Sequence, residues 1–94
     1  MSEQNRDRYI TFDGLDCDTN ATTIVAVIKQ HIDDGDGAQP WRDYFYKKFI
    51  EQERLGVDDL FFVGSQMNNL FAYLDDCGDT QNHALLYQVE QECC

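Results

Sequence analysis

A chain of 94 residues, 43% hydrophobic and 13% aromatic, holds material for one core, because a second compact unit would leave each half too small to support itself. That composition lies outside the range of disordered chains. A formal charge of −11 spreads negative potential over most of the surface, which excludes nucleic acid and anionic membrane as natural partners.

Residues 1–16 carry a Tyr9, Ile10, Phe12 and Leu15 cluster in mixed polar surroundings. This predicts an irregular N-terminal arm that tucks its apolar side chains onto the main body. No stretch approaches the roughly 18 to 20 apolar residues that a membrane span needs, and no apolar segment follows the polar start Met1 to Arg8. The chain is therefore expected in the cytoplasm. Asp18 to Asn20 offer N-cap chemistry, and Ile24, Val25, Ile28 and Ile32 recur at helical spacing, which predicts a first helix over 19–33. The β-branched run Thr22, Thr23, Ile24, Val25 pulls locally toward strand.

Asp33 to Gly37 form a turn-rich break, Pro40 suits the first turn of a second helix, and Gly56 after Leu55 is a natural stop. Trp41, Tyr44, Phe45, Lys48 and Phe49 give this helix an aromatic face at steps of three and four. Such a face is first of all core, with an exposed docking surface as its other use, because Trp and Tyr anchor interfaces. Asp58 or Asp59 caps a third helix in which Leu60, Val63, Met67, Leu70, Phe71 and Leu74 make the clearest amphipathic stripe of the chain. It ends near Asp75 to Gly78. In its middle, Gly64 is a costly helix residue that permits close approach of another helix, and the amides of Gln66, Asn68 and Asn69 either bond a neighbouring backbone or face a partner. Thr80 caps a fourth helix, whose shorter stripe of Leu85, Leu86 and Val89 runs toward Cys93. The predicted fold is all-α: one domain over 1–94, a small compact bundle of about four helices with an irregular arm.

The side chains that could carry chemistry do not form a site by spacing. Cys17, Cys77, Cys93, Cys94, His31 and His83 are of metal-binding type, yet no pair has the C-x₂₋₄-C spacing of a structural zinc site, and C-x-x-C-H for a c-type haem is absent. Without a secretory signal the four cysteines are expected to remain thiols, and the two histidines read as ordinary helix-surface residues. The vicinal Cys93 and Cys94 can form only a strained ring or react with outside partners, and Glu90, Glu92 and the terminal carboxylate disfavour a thiolate there. The doublets Asp33-Asp34, Asp58-Asp59 and Asp75-Asp76 lie near helix ends, where caps and turns favour carboxylates. No phosphate-binding loop or nucleophile elbow is present. The expectation is a non-enzyme with no cofactor and no metal.

Charge is distributed unevenly. No Lys or Arg follows Arg54, whereas Asp58, Asp59, Asp75, Asp76, Asp79, Glu90 and Glu92 all do. This acidic half serves either as a solvated face or as a surface that steers toward a basic or mixed patch on a protein.

Several blocks then align with a known family. Asp7-Arg8-Tyr9, Asp16-Cys17-Asp18, His31-Ile32-Asp33-Asp34, Pro40-Trp41, Asp43-Tyr44-Phe45, Arg54-Leu55-Gly56, Leu60-Phe61, Val63-Gly64-Ser65-Gln66 and Gln88 to Cys94 together resemble CowN, the N2-fixation sustaining protein family. The resemblance spans Asp7 to Cys94, with no pattern to carry over in the acidic loop Asp33 to Gln39. It implies a small cytoplasmic protein of nitrogen-fixing bacteria that protects nitrogenase from carbon monoxide, and it implies no catalytic residues. The expected partner is the nitrogenase molybdenum–iron protein. The expected contacts are the acidic Asp75, Asp76, Asp79, Glu90 and Glu92, with Trp41, Arg42 and the Gln66 face as the other option. Two alternatives differ in class: a metal- or haem-bearing carbon monoxide sink built on the cysteines and histidines, and a regulator of nitrogenase expression or assembly.

Overall fold

The computed structural model describes residues 16–93, and all their regular structure is helical. The expectation of an irregular arm falls on residues 1–15, outside the described residues. The helices are α1 (Cys17–Asp34), α2 (Gln39–Leu55), α3 (Asp59–Ser65), α4 (Met67–Cys77) and α5 (Thr80–Cys93). The first helix begins earlier than the cap residues Asp18 to Asn20 suggest. Asp16 is its N-cap, accepting hydrogen bonds from the Thr19 amide (3.1 Å) and hydroxyl (2.7 Å). The β-branched run is helical because it supplies Ile24 and Val25 to the core, and that burial, at about 1.5 to 3 kcal/mol per side chain, outweighs a local propensity of tenths of a kcal/mol.

Among the described residues the helices number five because the predicted third helix is broken at Gln66, whose backbone (φ −113°, ψ 16°) ends α3 and starts α4. The polar run at 64–66 is the physical reason: an exposed Gly64 and Ser65 hold the chain in a helix poorly, and Gln66 finds better partners elsewhere. Gly64 is exposed, so it is not the point of close helix approach expected of it. Both new helices keep their apolar stripe on the same core, with Phe62 and Val63 from α3 and Met67, Leu70, Tyr73 and Leu74 from α4.

Ala21, Ile24, Val25 and Ile28 of α1 form the middle of that core, against α3 on one side and α5 on the other, with α5 contributing Leu86 and Val89. The aromatic stripe of α2 faces inward as core: Phe45 is fully buried, with Trp41, Tyr44 and Phe49 packed around it. Phe45 stacks on Tyr73 (5.5 Å between centroids) and Phe49 on Phe62 (4.9 Å). α2 is thus held chiefly by rings reaching across a gap.

α1 and α5 lie antiparallel. Cys17 at the start of α1 meets Cys93 at the end of α5, their Cα atoms 5.7 Å apart, and the two are joined by a disulfide across 76 residues of sequence. This corrects the expectation of four thiols, and of Cys93 restricted to a ring with its neighbour or to outside partners. The two ends meet only because the core brings the helices together, which no local spacing reveals. Among the described cysteines Cys77 is free and half-buried.

Candidate functional site

At the end of the bundle away from the disulfide, four helix termini converge: the end of α1, the start of α2, the end of α4 and the start of α5. His31, one turn before the end of α1, sits between two carboxylates. Its Nδ1 lies 2.8 Å from Oδ2 of Asp36 and its Nε2 2.8 Å from Oδ2 of Asp79. With both ring nitrogens facing acceptors, the ring is bonded at both positions only as the imidazolium. Burial of the ring works against that charge, but the hydrogen bonds to Asp36 and Asp79 and their negative charge outweigh it, so the His31 pKa is raised. Asp79 responds in the opposite sense. Burial pushes its pKa up, while the Asn82 side chain, His31 and the Asn82 amide hold it below the ordinary value. His31 is therefore a structural clamp, which corrects its reading as a plain surface residue.

The loop between α1 and α2 is knit onto this clamp. The Tyr73 hydroxyl donates to the Asp36 carbonyl (2.9 Å) and the Ala38 amide to Oδ2 of Asp76 (2.6 Å). Arg42 Nη1 donates to the carbonyls of Gly35 (3.0 Å), Asp36 (3.4 Å) and Gly37. Those carbonyls sit at the C-terminal end of α1 and just past it, where a cation meets the negative pole of the helix. Gly37 has φ 74°, and a Cβ there would lie 2.6 Å from Tyr73 Cε1 and 3.2 Å from the Cys77 sulfur. Only glycine lets the loop lie this close to α4. Burial raises the Tyr73 hydroxyl pKa and also that of the Cys77 thiol, which faces the carboxylates of Asp36, Asp76 and Asp79. Cys77 is accordingly held as a thiol.

Five of the residues singled out as contacts, Trp41, Arg42, Asp75, Asp76 and Asp79, thus lie at this end. Their roles separate. Asp79 is spent on internal bonds: its side chain is 14% exposed, and it accepts from His31, from Asn82 Nδ2 (2.8 Å) and from the Asn82 amide (3.1 Å) as cap of α5. Asp75 points outward, 75% exposed, with one carboxylate oxygen 3.5 Å from His83 Nε2. Asp76 is exposed while anchoring Ala38.

A family model described as N2-fixation sustaining protein CowN matches residues 1–94. The chain belongs to the CowN family. It is similar to the N(2)-fixation sustaining protein CowN of Cereibacter sphaeroides strain KD131, at 40% identity over the whole of both chains. It is also similar to the CowN of Tolumonas auensis, at 42% identity over 99% of this chain and 89% of the relative. The CowN of Allochromatium vinosum is 41% identical over 94% of this chain and 92% of its own. No solved structure matches.

The remaining candidate contacts of this CowN-family chain lie elsewhere. Gln66 Oε1 accepts from the Tyr44 hydroxyl (2.7 Å) and from Asn69 Nδ2 (3.2 Å), and Asn69 Nδ2 also donates to Tyr44 (3.0 Å). The amides so bond a side chain of α2, a partner that the sequence spacing did not suggest. Glu90 is half-buried and Glu92 exposed in the last turns of α5, beside the disulfide, so the acidic residues beyond Arg54 occupy both ends of the bundle instead of one face. Sequence reasoning placed Asp36 and Gly37 in a turn without giving them a role at the site, and it did not single out Tyr73. The one legible signal was the positive-φ preference of a Gly-Asp-Gly turn.

Proposed function

We propose that this chain sustains nitrogen fixation in the presence of carbon monoxide by binding the nitrogenase molybdenum–iron protein, with no chemistry of its own. Membership of the CowN family over the full length carries this reading, and the family description names no catalysed reaction. The exposed carboxylates of Asp75, Asp76 and Glu92, together with a net charge of −11, suit a basic or mixed patch on a protein and steer the encounter with it. Asp79 leaves the contact set, because its carboxylate is committed inside the bundle.

The metal-centred alternative fits these residues poorly. Cys17 and Cys93 are bonded to each other, and both ring nitrogens of His31 already have carboxylate partners. Among the described residues no group of three or more His, Cys, Asp or Glu side chains is arranged to hold a metal ion.

The deciding experiment is a nitrogenase assay with purified components under carbon monoxide, with and without this protein. Restored substrate reduction is the expected result, and no restoration overturns direct protection. In the same assay Asp75→Asn with Asp76→Asn should weaken protection and flatten its dependence on salt. Asp79→Asn should instead lower the melting temperature and leave protection by the folded protein intact.

A further inference from the structure

α2 carries more apolar surface than the core uses. Phe45 and the rings around it fill the inward side, yet Tyr46 and Ile50, one turn apart, are 62% and 47% exposed. With Phe49, and with Ile32 of α1, they wall a groove of ≈ 640 Å³ between the two helices. That volume lies within the roughly 300 to 1,000 Å³ of binding sites.

Charge around the groove is one-sided. Among the described residues lining it Lys29 is the one base, and its ammonium lies over the Phe49 ring, 5.1 Å from the centroid. Of the lining acids, Asp59 is committed inside, accepting from Thr22 Oγ1 (2.9 Å) and Gln52 Nε2 (2.7 Å). Asp33 and Glu53, from the last turns of α1 and α2, are exposed. An apolar strip beside exposed carboxylates selects an occupant whose own apolar side chains are flanked by cations. A second copy fits poorly, because chains of net charge −11 repel and a two-fold contact brings the same acids together. Length argues for a helix. Tyr46 to Glu53 spans about 10 Å at 1.5 Å per residue, two turns of an incoming helix.

We infer that the groove between α1 and α2 seats an amphipathic helix of a partner protein. Two large apolar side chains, one turn apart, lie against Ile32, Tyr46 and Ile50, and flanking Lys or Arg residues face Asp33 and Glu53. The inference rests on the reading above that this chain acts by binding a protein, and it adds an apolar contact to the exposed carboxylates of Asp75 and Asp76.

The test is photo-crosslinking of the full chain to the nitrogenase molybdenum–iron protein, with benzoylphenylalanine in place of Tyr46 or, as a control outside the groove, of Tyr87, exposed on α5. The probe at Tyr46 should label a partner helix with apolar residues at i and i+4 and a Lys or Arg within a turn of them. Ile50→Glu and Tyr46→Ser, each checked for unchanged helicity, should weaken binding about tenfold. Asp33→Asn with Glu53→Gln should weaken it about threefold at low salt, a difference that vanishes at high salt. If a complex forms but only the Tyr87 probe labels the partner, or the Tyr46 probe labels only its own chain or a second copy, the groove is overturned and the binding reading stands. Full affinity in both Ile50→Glu and Tyr46→Ser also overturns the groove. No complex by sedimentation defeats both.

Discussion

At the residue scale, the behaviour of the acidic end rests on His31. Its folded pKa is raised above the ordinary 6.5, so the stability it contributes is fully present below about pH 6.5 and is lost as pH rises through the raised folded value. Asp79 has a lowered pKa, so its share is present above 3.8 and is lost as pH falls through the folded value. The melting temperature of the native chain should therefore decline on the alkaline side of this window, and His31→Gln should abolish that decline while costing about 2 kcal/mol through two carboxylates left without their cation. A pH series of thermal melts for the two proteins checks both points. Gly37 gives a second residue-scale expectation. Gly37→Ala would force a Cβ against Tyr73 Cε1 at a position with φ 74°, and denaturant unfolding should show a loss of about 2 to 4 kcal/mol.

At the scale of elements, the break between α3 and α4 shows why a clean amphipathic stripe overstates helix continuity. Leu60 through Leu74 keep their apolar spacing across Gln66, since both helices face one core, so the pattern alone reads as one helix. What ends α3 is a set of side-chain bonds to α2. Tyr44→Phe removes the hydroxyl that joins Gln66 and Asn69. It should cost about 1 to 2 kcal/mol by urea denaturation, with hydrogen exchange accelerating around 66–69 before the rest of the chain. The start of the second helix was legible from Pro40 and its stop from Gly56, because caps and stops are local chemistry. The aromatic stripe of α2 was legible for the same reason, since one face of one helix sets it.

At the scale of the whole molecule, the two ends of the α1–α5 pair are fastened by different means, a disulfide at one and an ionic clamp at the other. Closing a loop across 76 residues is worth up to ~4.5 kcal/mol in the chain-entropy estimate. Cys17→Ser, or reduction of the native chain, should lower the guanidinium midpoint accordingly, by about 2 to 4 kcal/mol of stability. An unchanged midpoint on reduction would show that packing of Ile24, Ile28, Leu86 and Val89 suffices to hold the helices together. Family membership was legible across the length because the blocks that carry it are strings of neighbours such as His31-Ile32-Asp33-Asp34 and Arg54-Leu55-Gly56.

Helix-forming stripes, turn residues and total charge are properties of neighbours in the chain, so the sequence by itself determined the all-helical character of the described residues, the approximate bounds of most helices, the acidity and the family. Tertiary structure alone decided which acids remain available to a partner. Asp75 and Asp79 are indistinguishable in an acidic run, yet one faces solvent and the other is bonded to a histidine 48 residues away. It likewise decided that Cys17 pairs with Cys93 and that Gln66 turns toward Tyr44. Each of these depends on which helix faces lie together in space, a relation set by how apolar stripes bury one another and carried by no spacing along the chain.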